Sequence, residues 1–181
     1  NSTFDSWVSG VEIRTTTAES GTKSHTININ NNFFYRNSQV AIRLWESDHV
    51  NVENNIINGD RTGVGDGLPT NVGIWAPDTA GAGGYGSVDW NVIGNTVYNM
   101  YGEPINIHAS YANIIGNIVH DAGTTYYPAV SIGSYGIIFE GLSNSYSPGT
   151  PAPAQFSKIT GNVFYLTDGG IASRHDSANP G

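Results

Sequence analysis

The sequence feature that most constrains the fold is a short segment that recurs five times. Each copy reads apolar, polar, apolar, two small or polar residues, asparagine and then an apolar pair. The aligned asparagines are Asn32, Asn55, Asn95, Asn117 and Asn162, and Asn1 fits the same position. Their spacings of 31, 23, 40, 22 and 45 residues indicate a minimal period of 22–23 residues, with insertions in the longer intervals. A period of this length is typical of solenoids.

A second apolar strand follows each asparagine, at an offset of nine or ten residues where no insertion intervenes. These strands cover residues 11–15, 42–46, 72–76, 105–109, 137–141 and 171–175. Short β-branched strands with a period near 22 residues predict a parallel β-solenoid. An asparagine at the same turn of every coil can stack its amide on the next coil and satisfy polar groups inside the bend. We therefore predict an all-β fold of about six coils with the asparagines stacked at one corner.

The asparagine turns resemble those of the right-handed parallel β-helix in the pectate-lyase-like superfamily. The dipeptides that carry the resemblance are Asn31–Asn32, Asn54–Asn55, Gly94–Asn95, Gly116–Asn117 and Gly161–Asn162. The resemblance covers nearly the whole chain and implies a right-handed parallel β-helix (β-solenoid) over residues 1–181. It assigns no single family, because this fold hosts lyases, hydrolases, epimerases, phage tailspikes and adhesins.

Both ends of the sequence cut through a coil of the predicted helix. An uncapped solenoid exposes sheet edges and core, which natural proteins avoid. We therefore expect residues 1–181 to be an interior segment of a longer β-helix domain. Further coils of the same polypeptide, or a companion chain, would then lie against both ends.

The charge balance limits the possible partners. Seven Lys and Arg face 15 Asp and Glu, so the formal net charge is −8, and no basic cluster is available to bind nucleic acid. No apolar run approaches the roughly 20 residues that span a membrane. Low charge together with many Asn, Thr, Ser and Tyr residues favours a secreted or cell-surface protein.

Insertions place long loops beside the second-strand face. They cover residues 60–70, 76–87, 121–135 and 143–155, and they belong mainly to coils three and five. Coil four, which carries Asn106 and His108, has no insertion. It should form the floor of a groove between two loop walls, where we expect a polysaccharide to bind.

Alternation along the second strands predicts two outward columns, with coils about 4.8 Å apart. The first contains Arg14, Trp45, Trp75, His108, Glu140 and Arg174. The second contains Glu12, Arg43, Gly73, Asn106, Ile138 and Ala172. Trp45 and Trp75 would form a flat platform on which sugars stack, and Asn106 and Arg43 would add polar contacts. An alternative of equal weight is that the long loops bury both indoles as a second core.

His108, Glu140 and Arg174 are the candidate catalytic residues, as acid, base and charge stabiliser. The competing interpretation is a surface salt-bridge ladder, worth about 0–1 kcal/mol per pair. Superfamily lyases commonly use Ca²⁺, so the resemblance allows calcium as a cofactor. However, Ca²⁺ takes 6–8 oxygen ligands, and no such set is present, so we assign no metal ligand. A hydrolase needs a second carboxylate, which Asp66, Asp78 or Asp121 would have to supply to Glu140.

Two functions follow from this set of residues. The first is an extracellular polysaccharide-active enzyme, a glycan lyase or glycoside hydrolase acting in the loop-walled groove. The alternative is a non-catalytic carbohydrate-binding or adhesive surface β-helix. The incomplete acid set favours the alternative. We prefer the enzyme because loops flank both sides of coil four, and because missing catalytic residues can lie on coils outside this segment.

Overall fold

The described part of the chain consists of strands, turns and bends. The computed structural model describes residues 2–5, 9–13, 24–45, 47–60, 72–77, 87–123, 135–140 and 157–174. Within those ranges there are 18 strands, β1 to β18, and no helix. Accordingly, these residues form no helix long and apolar enough to cross a membrane.

The strands form three parallel sheets of six strands each. Sheet A contains β1 (Thr3–Asp5), β4 (Phe33–Tyr35), β7 (Ile56–Asn58), β10 (Thr96–Met100), β14 (Ile118–Ala122) and β17 (Val163–Tyr165). Sheet B contains β2 (Ser9–Ile13), β5 (Val40–Leu44), β8 (Val72–Ala76), β11 (Glu103–Ile107), β15 (Tyr135–Glu140) and β18 (Gly169–Arg174). Sheet C contains β3 (Ser24–Asn30), β6 (Ser47–Glu53), β9 (Ser87–Ile93), β12 (Ala109–Ser110), β13 (Asn113–Ile115) and β16 (Lys158–Thr160).

The chain visits the sheets in the order C, A, B and then begins the next coil. Strands inside each sheet pair with the equivalent strands one coil before and one coil after, as β4 does with β1 and β7. This all-β arrangement is consistent with the predicted β-solenoid. The repeat segment of the sequence spans two strands, one in sheet C and one in sheet A, so each coil has three sides rather than the two strands recognised from the pattern.

The predicted asparagine stack is confirmed at the corner between sheets C and A. Asn55, Asn95 and Asn117 are at most 1% exposed. The side-chain Nδ2 of each of the first four stacked asparagines donates to the Oδ1 of the asparagine in the next coil, at 2.9–3.2 Å. The same Oδ1 also accepts from the backbone N–H of the donating asparagine. The second Nδ2 proton goes to a backbone carbonyl, for example that of Val52 from Asn95 at 2.8 Å. The stack therefore satisfies buried polar groups that the bend would otherwise leave unpaired.

The residue before each stacked asparagine has a left-handed backbone. Its φ is 60° at Asn31 and 55° at Asn54, and 65–66° at Gly94, Gly116 and Gly161. Glycine and asparagine adopt this conformation more readily than other residues. The Asn-Asn and Gly-Asn dipeptides are thus explained by the turn itself, in which the first residue reverses the chain and the second joins the stack.

The core lies between the three sheets and is built from their inward side chains. Trp90, Phe34, Leu44 and Ile105 are fully buried in it. Each such side chain contributes about 1.5–3 kcal/mol through removal from water. In sheet B two consecutive residues, Ala41 and Ile42, both belong to the core, so alternation is broken at the start of these strands.

Candidate functional site

The candidate site is the outer face of sheet B, and its register differs from the prediction at coil three. Ile42 pairs with Ile74, and Ile74 pairs with Ile105, whereas the predicted alignment placed Val72 beside Ile42. A slip of two residues keeps the same side chains inward, so the hydrophobic pattern does not distinguish the two registers. As a result, Trp75 lies in the column predicted to hold Gly73.

The outer column that results brings three of the predicted binding residues together. From coil to coil it reads Glu12, Arg43, Trp75, Asn106, Ile138 and Ala172. Trp45 follows β5 in the coil next to Trp75, and the two ring centroids are 6.0 Å apart. The structure therefore groups Arg43, Trp45, Trp75 and Asn106 on one surface, which we call the indole face.

The two indoles do not form the flat platform expected from the sequence. Their planes are inclined by 49°, and the guanidinium carbon of Arg43 lies 4.8 Å from the centroid of the Trp75 ring. This cation–π contact occupies one face of Trp75. Both indoles are half-buried, which is intermediate between the exposed platform and the buried second core. Sugar stacking is therefore less available at Trp75 than the sequence suggested.

Arg43 is buried and ion-paired. Its Nη1 donates to Oε1 of Glu12 at 2.9 Å, and its side chain is only 9% exposed. Glu12 and Arg43 are register partners on neighbouring coils, so the ion pair joins those coils. The guanidinium thus lies between a carboxylate on one side and the Trp75 ring on the other, which fixes its position.

Asn106 is buried and held by a residue that sequence analysis missed. Its Nδ2 donates to Oε2 of Glu103 on the same strand. Strict alternation from the inward Ile105 would point Glu103 into the core. However, alternation is broken at the start of the sheet B strands, as shown in coil two, where Ala41 and Ile42 both face inward. Glu103, at the start of β11, therefore lies on the outer face. A glutamate two residues before Ile105, where strict alternation would place it in the core, was the available signal.

Within the described part of the chain, four buried polar atoms of the indole face have no hydrogen-bond partner. They are Arg43 Nε, Trp45 Nε1, Trp75 Nε1 and Asn106 Oδ1. Each unsatisfied buried group costs about 1–3 kcal/mol, and such groups are uncommon in native proteins. Three donors and one acceptor within a single surface are the pattern expected where a polar ligand completes the hydrogen bonds.

The predicted catalytic residues are only partly covered by the structure. His108 is half-buried and its backbone N–H donates to the carbonyl of Ala76 at 3.0 Å. Glu140 and Arg174 pair in register between β15 and β18, but their side chains lie outside the described part of the structure, as does Arg14. Among the described residues, no group of three or more His, Asp or Glu side chains could hold a metal ion.

The predicted loop walls fall largely outside the described residues. The structure does not describe residues 61–71, 78–86, 124–134 and 141–156, which include most of the loops at 60–70, 76–87, 121–135 and 143–155. Asp66 and Asp78 lie in the same segments. The groove walls, and Asp66 or Asp78 as the second acid, therefore stay predictions. The third candidate, Asp121, lies in β14 of sheet A, whereas Glu140 lies in β15 of sheet B.

The outer face of sheet A carries an aromatic stack that sequence analysis did not anticipate. The His120 ring lies between Tyr98, at 4.9 Å, and Tyr165, at 4.6 Å, with planes within 13°. His120 Nδ1 is 2.6 Å from Oδ2 of Asp121. Burial raises the pKa of Tyr98, although a hydrogen bond with Asn58 opposes the shift. Because these rings cover one another's faces, the stack stabilises adjacent coils and offers only ring edges between them.

No family model, curated protein or solved structure matches the chain.

Proposed function

We propose that the chain is part of an extracellular, right-handed parallel β-helix protein that acts on polysaccharide at the indole face. The observation that carries this proposal is the set of four buried polar atoms that have no partner among the described residues. Sugar hydroxyls both donate and accept hydrogen bonds, so a glycan can satisfy all four at once. Tryptophan and arginine are also frequent anchors in binding sites.

The parallel stacking of the coils favours an extended ligand. Equivalent residues of successive coils lie about 4.8 Å apart, and the column from Glu12 through Arg43 and Trp75 to Asn106 crosses four coils. A chain of sugars laid along this column would contact one coil after another. A small compact ligand would use only part of it.

Catalysis by a lyase or hydrolase mechanism is proposed at the end of this column. His108 follows Ile107, whose register partner is Phe139, the residue before Glu140. Glu140 in turn pairs with Arg174. This backbone order supports a run of acid, base and cation next to Asn106. Glu103 adds a carboxylate on the same face.

A binding or adhesive module is the second candidate function. It is favoured by the unpartnered atoms of Arg43, Trp45, Trp75 and Asn106, which are the predicted binding residues. In that case the indole face would hold a glycan without cleaving it, and His108, Glu140 and Arg174 would form a surface ion-pair ladder of little energetic weight.

Further coils, or a companion chain, are proposed to cover the β18 side of the solenoid. Ile171 of β18 is 52% exposed, although its register partner Ile137 is fully buried in the core. Another strand placed beside β18 would bury Ile171 in the same way. This supports the expectation that the segment belongs to a longer β-helix.

Binding to immobilised polysaccharides, measured with paired variants, tests the proposal. Trp75→Ala should weaken glycan binding at least tenfold, because it removes an indole at the centre of the face. Tyr165→Ala, an exposed aromatic on sheet A, is the control and should bind as the parent does. If the enzyme hypothesis is right, Glu140→Gln abolishes turnover and leaves binding nearly intact. Equal binding by the parent and Trp75→Ala would refute the site, and full activity of Glu140→Gln would leave only the binding module.

A further inference from the structure

We infer that the outer face of sheet A binds a second copy of this chain, so that two solenoids associate side by side. The contact is centred on the outward side chains of β10, β14 and β17, which we call the sheet A patch. The indole face belongs to a different sheet, so this inference does not depend on the proposed function.

Exposed apolar side chains are concentrated on this face. Of the eight large apolar or aromatic side chains that are exposed among the described residues, five lie in sheet A or directly after β17: Ile56, Ile118, Val163, Tyr165 and Leu166. Ile118 is 40% exposed although β10 and β17 flank its strand on both sides. Its exposure is therefore not caused by an end of the sheet. Contiguous apolar surface of this kind marks a contact with another molecule.

The sheet A patch has two columns of different shape, which makes it complementary to itself. One column is β-branched and the other consists of rings: Thr96, Ile118 and Val163, beside Tyr98, His120 and Tyr165. A two-fold axis parallel to the solenoid axis places the β-branched column of each copy opposite the ring column of its partner, at the same height. Both copies repeat every 4.8 Å or so, so the contact continues from coil to coil. A partner without this repeat matches the patch at one coil only.

The charges of the chain also favour this face for self-association. Each copy has a formal net charge of −8, so two copies repel each other where acidic surfaces meet. The six side chains of the patch carry no formal charge, with histidine counted as neutral. At the margins of the face, Asp60 and Asp121 are half-buried. Asp5 and Arg36 form an ion pair with two hydrogen bonds of 2.9 and 2.7 Å.

The size of the face predicts a weak dimer. Six strands of three to five residues give a flat footprint of roughly 25 by 15 Å, or about 400 Å². A standard stable interface uses about 800 Å² per partner. We therefore expect a dissociation constant in the micromolar range. Glycan binding to the indole face is measured at lower protein concentrations, where the chain is monomeric, so the Tyr165→Ala control stays valid.

Sedimentation velocity of the whole protein over a concentration series tests the inference. We expect a reversible monomer–dimer equilibrium that strengthens with added NaCl, because salt screens the repulsion between two acidic copies. Ile118→Lys places a charge at the centre of the contact in both copies and should weaken the dimer at least tenfold. Val163→Lys provides the same test if the first variant does not fold. Tyr111→Lys, at a 50% exposed aromatic between β12 and β13, is the control and should dimerise as the parent does.

A mixture of oppositely charged variants tests the arrangement. With the two-fold axis parallel to the solenoid, position 118 lies at the same height in both copies. Mixed Ile118→Lys and Ile118→Glu should therefore associate at least threefold more tightly than either variant alone. No gain in the mixture would overturn the parallel arrangement. A monomer at every concentration, or unchanged dimerisation of both lysine variants, would overturn the inference as a whole. It would also be overturned by a monomer whose polysaccharide binding falls in Ile118→Lys, which would assign the patch to a glycan.

Discussion

Replacing Asn95 by alanine should reveal how much the buried asparagine stack stabilises the fold. Four hydrogen bonds would be lost. Asn95 Nδ2 donates to Asn117 Oδ1 and to the carbonyl of Val52, at 3.0 and 2.8 Å, and its Oδ1 accepts from the N and Nδ2 of Asn55, both at 3.0 Å. Asn95 is completely buried, so water cannot replace these bonds without opening the corner.

The expected loss in the free energy of unfolding is about 4 kcal/mol. This follows from about 1 kcal/mol net for each of the four hydrogen bonds. The backbone N–H of Asn55 loses the acceptor that it has in the stack, which places the loss at the upper end of single-residue effects. Asn117 Oδ1 still accepts a hydrogen bond from the backbone N–H of residue 95. The part of the stack from Asn117 onwards is therefore less affected.

Urea denaturation measures the effect, and Asn91→Ala is the matched control. Asn91 lies four residues earlier in the same coil, in a second stack on the outer face of sheet C, where its amide bonds to Asn51 and Asn113 at 2.9 Å. It is partly exposed, so its loss should cost about 0.5–1 kcal/mol. With a slope near 2 kcal/mol/M, the midpoint of Asn95→Ala should fall by about 2 M. Equal midpoints for the two variants would refute the stack as a main source of stability.

Two further variants test the turn and the aromatic stack. At Gly116, φ is 65° and no described heavy atom lies within 4 Å of an added Cβ, so a substitution there affects only the backbone conformation. Gly116→Val should lower the free energy of unfolding by about 2 kcal/mol, and Gly116→Asn by less than half of that. Similar thermal midpoints for the two variants would refute this. Because the pKa of Tyr98 is raised in the fold, its contribution to stability is complete below the unfolded pKa near 10 and declines as pH rises towards the folded pKa. The alkaline loss of stability should therefore be smaller in Tyr98→Phe than in the parent, and parallel pH profiles would contradict the shift.

The parallel sheets and the asparagine corner could be predicted because their signals repeat. A left-handed Asn or Gly followed by a stacked Asn occurs in five coils, and each copy supports the others. The outer stack of Asn28, Asn51, Asn91 and Asn113 left a nearly as regular signal, four residues before each of the first four stacked asparagines. It was overlooked because an outward polar residue in a strand is ordinary and suggests no contact by itself.

The site was less predictable because it depends on register and on broken alternation. Val72 and Ile74 are both apolar, and either can lie beside Ile42 without exposing the core. The choice between them moves Trp75 by one position in the outer face, from the column of His108 to the column of Asn106. Glu103 was missed for a related reason, since its outward position depends on a local departure from the two-residue period.

The register of the strands is constant from coil to coil, whereas the length of the segments between them varies. Ile42 follows Asn32 by 10 residues, whereas Ile74 follows Asn55 by 19, yet the two isoleucines are direct register partners. The extra residues enter after β7, which itself keeps its register with β4 and β10. The hydrogen-bonded ladders and the asparagine stack therefore set the positions of the outer columns, whatever the length of the insertions. This is why residues as distant in sequence as Arg43 and Asn106 lie on either side of Trp75 and can contact one ligand.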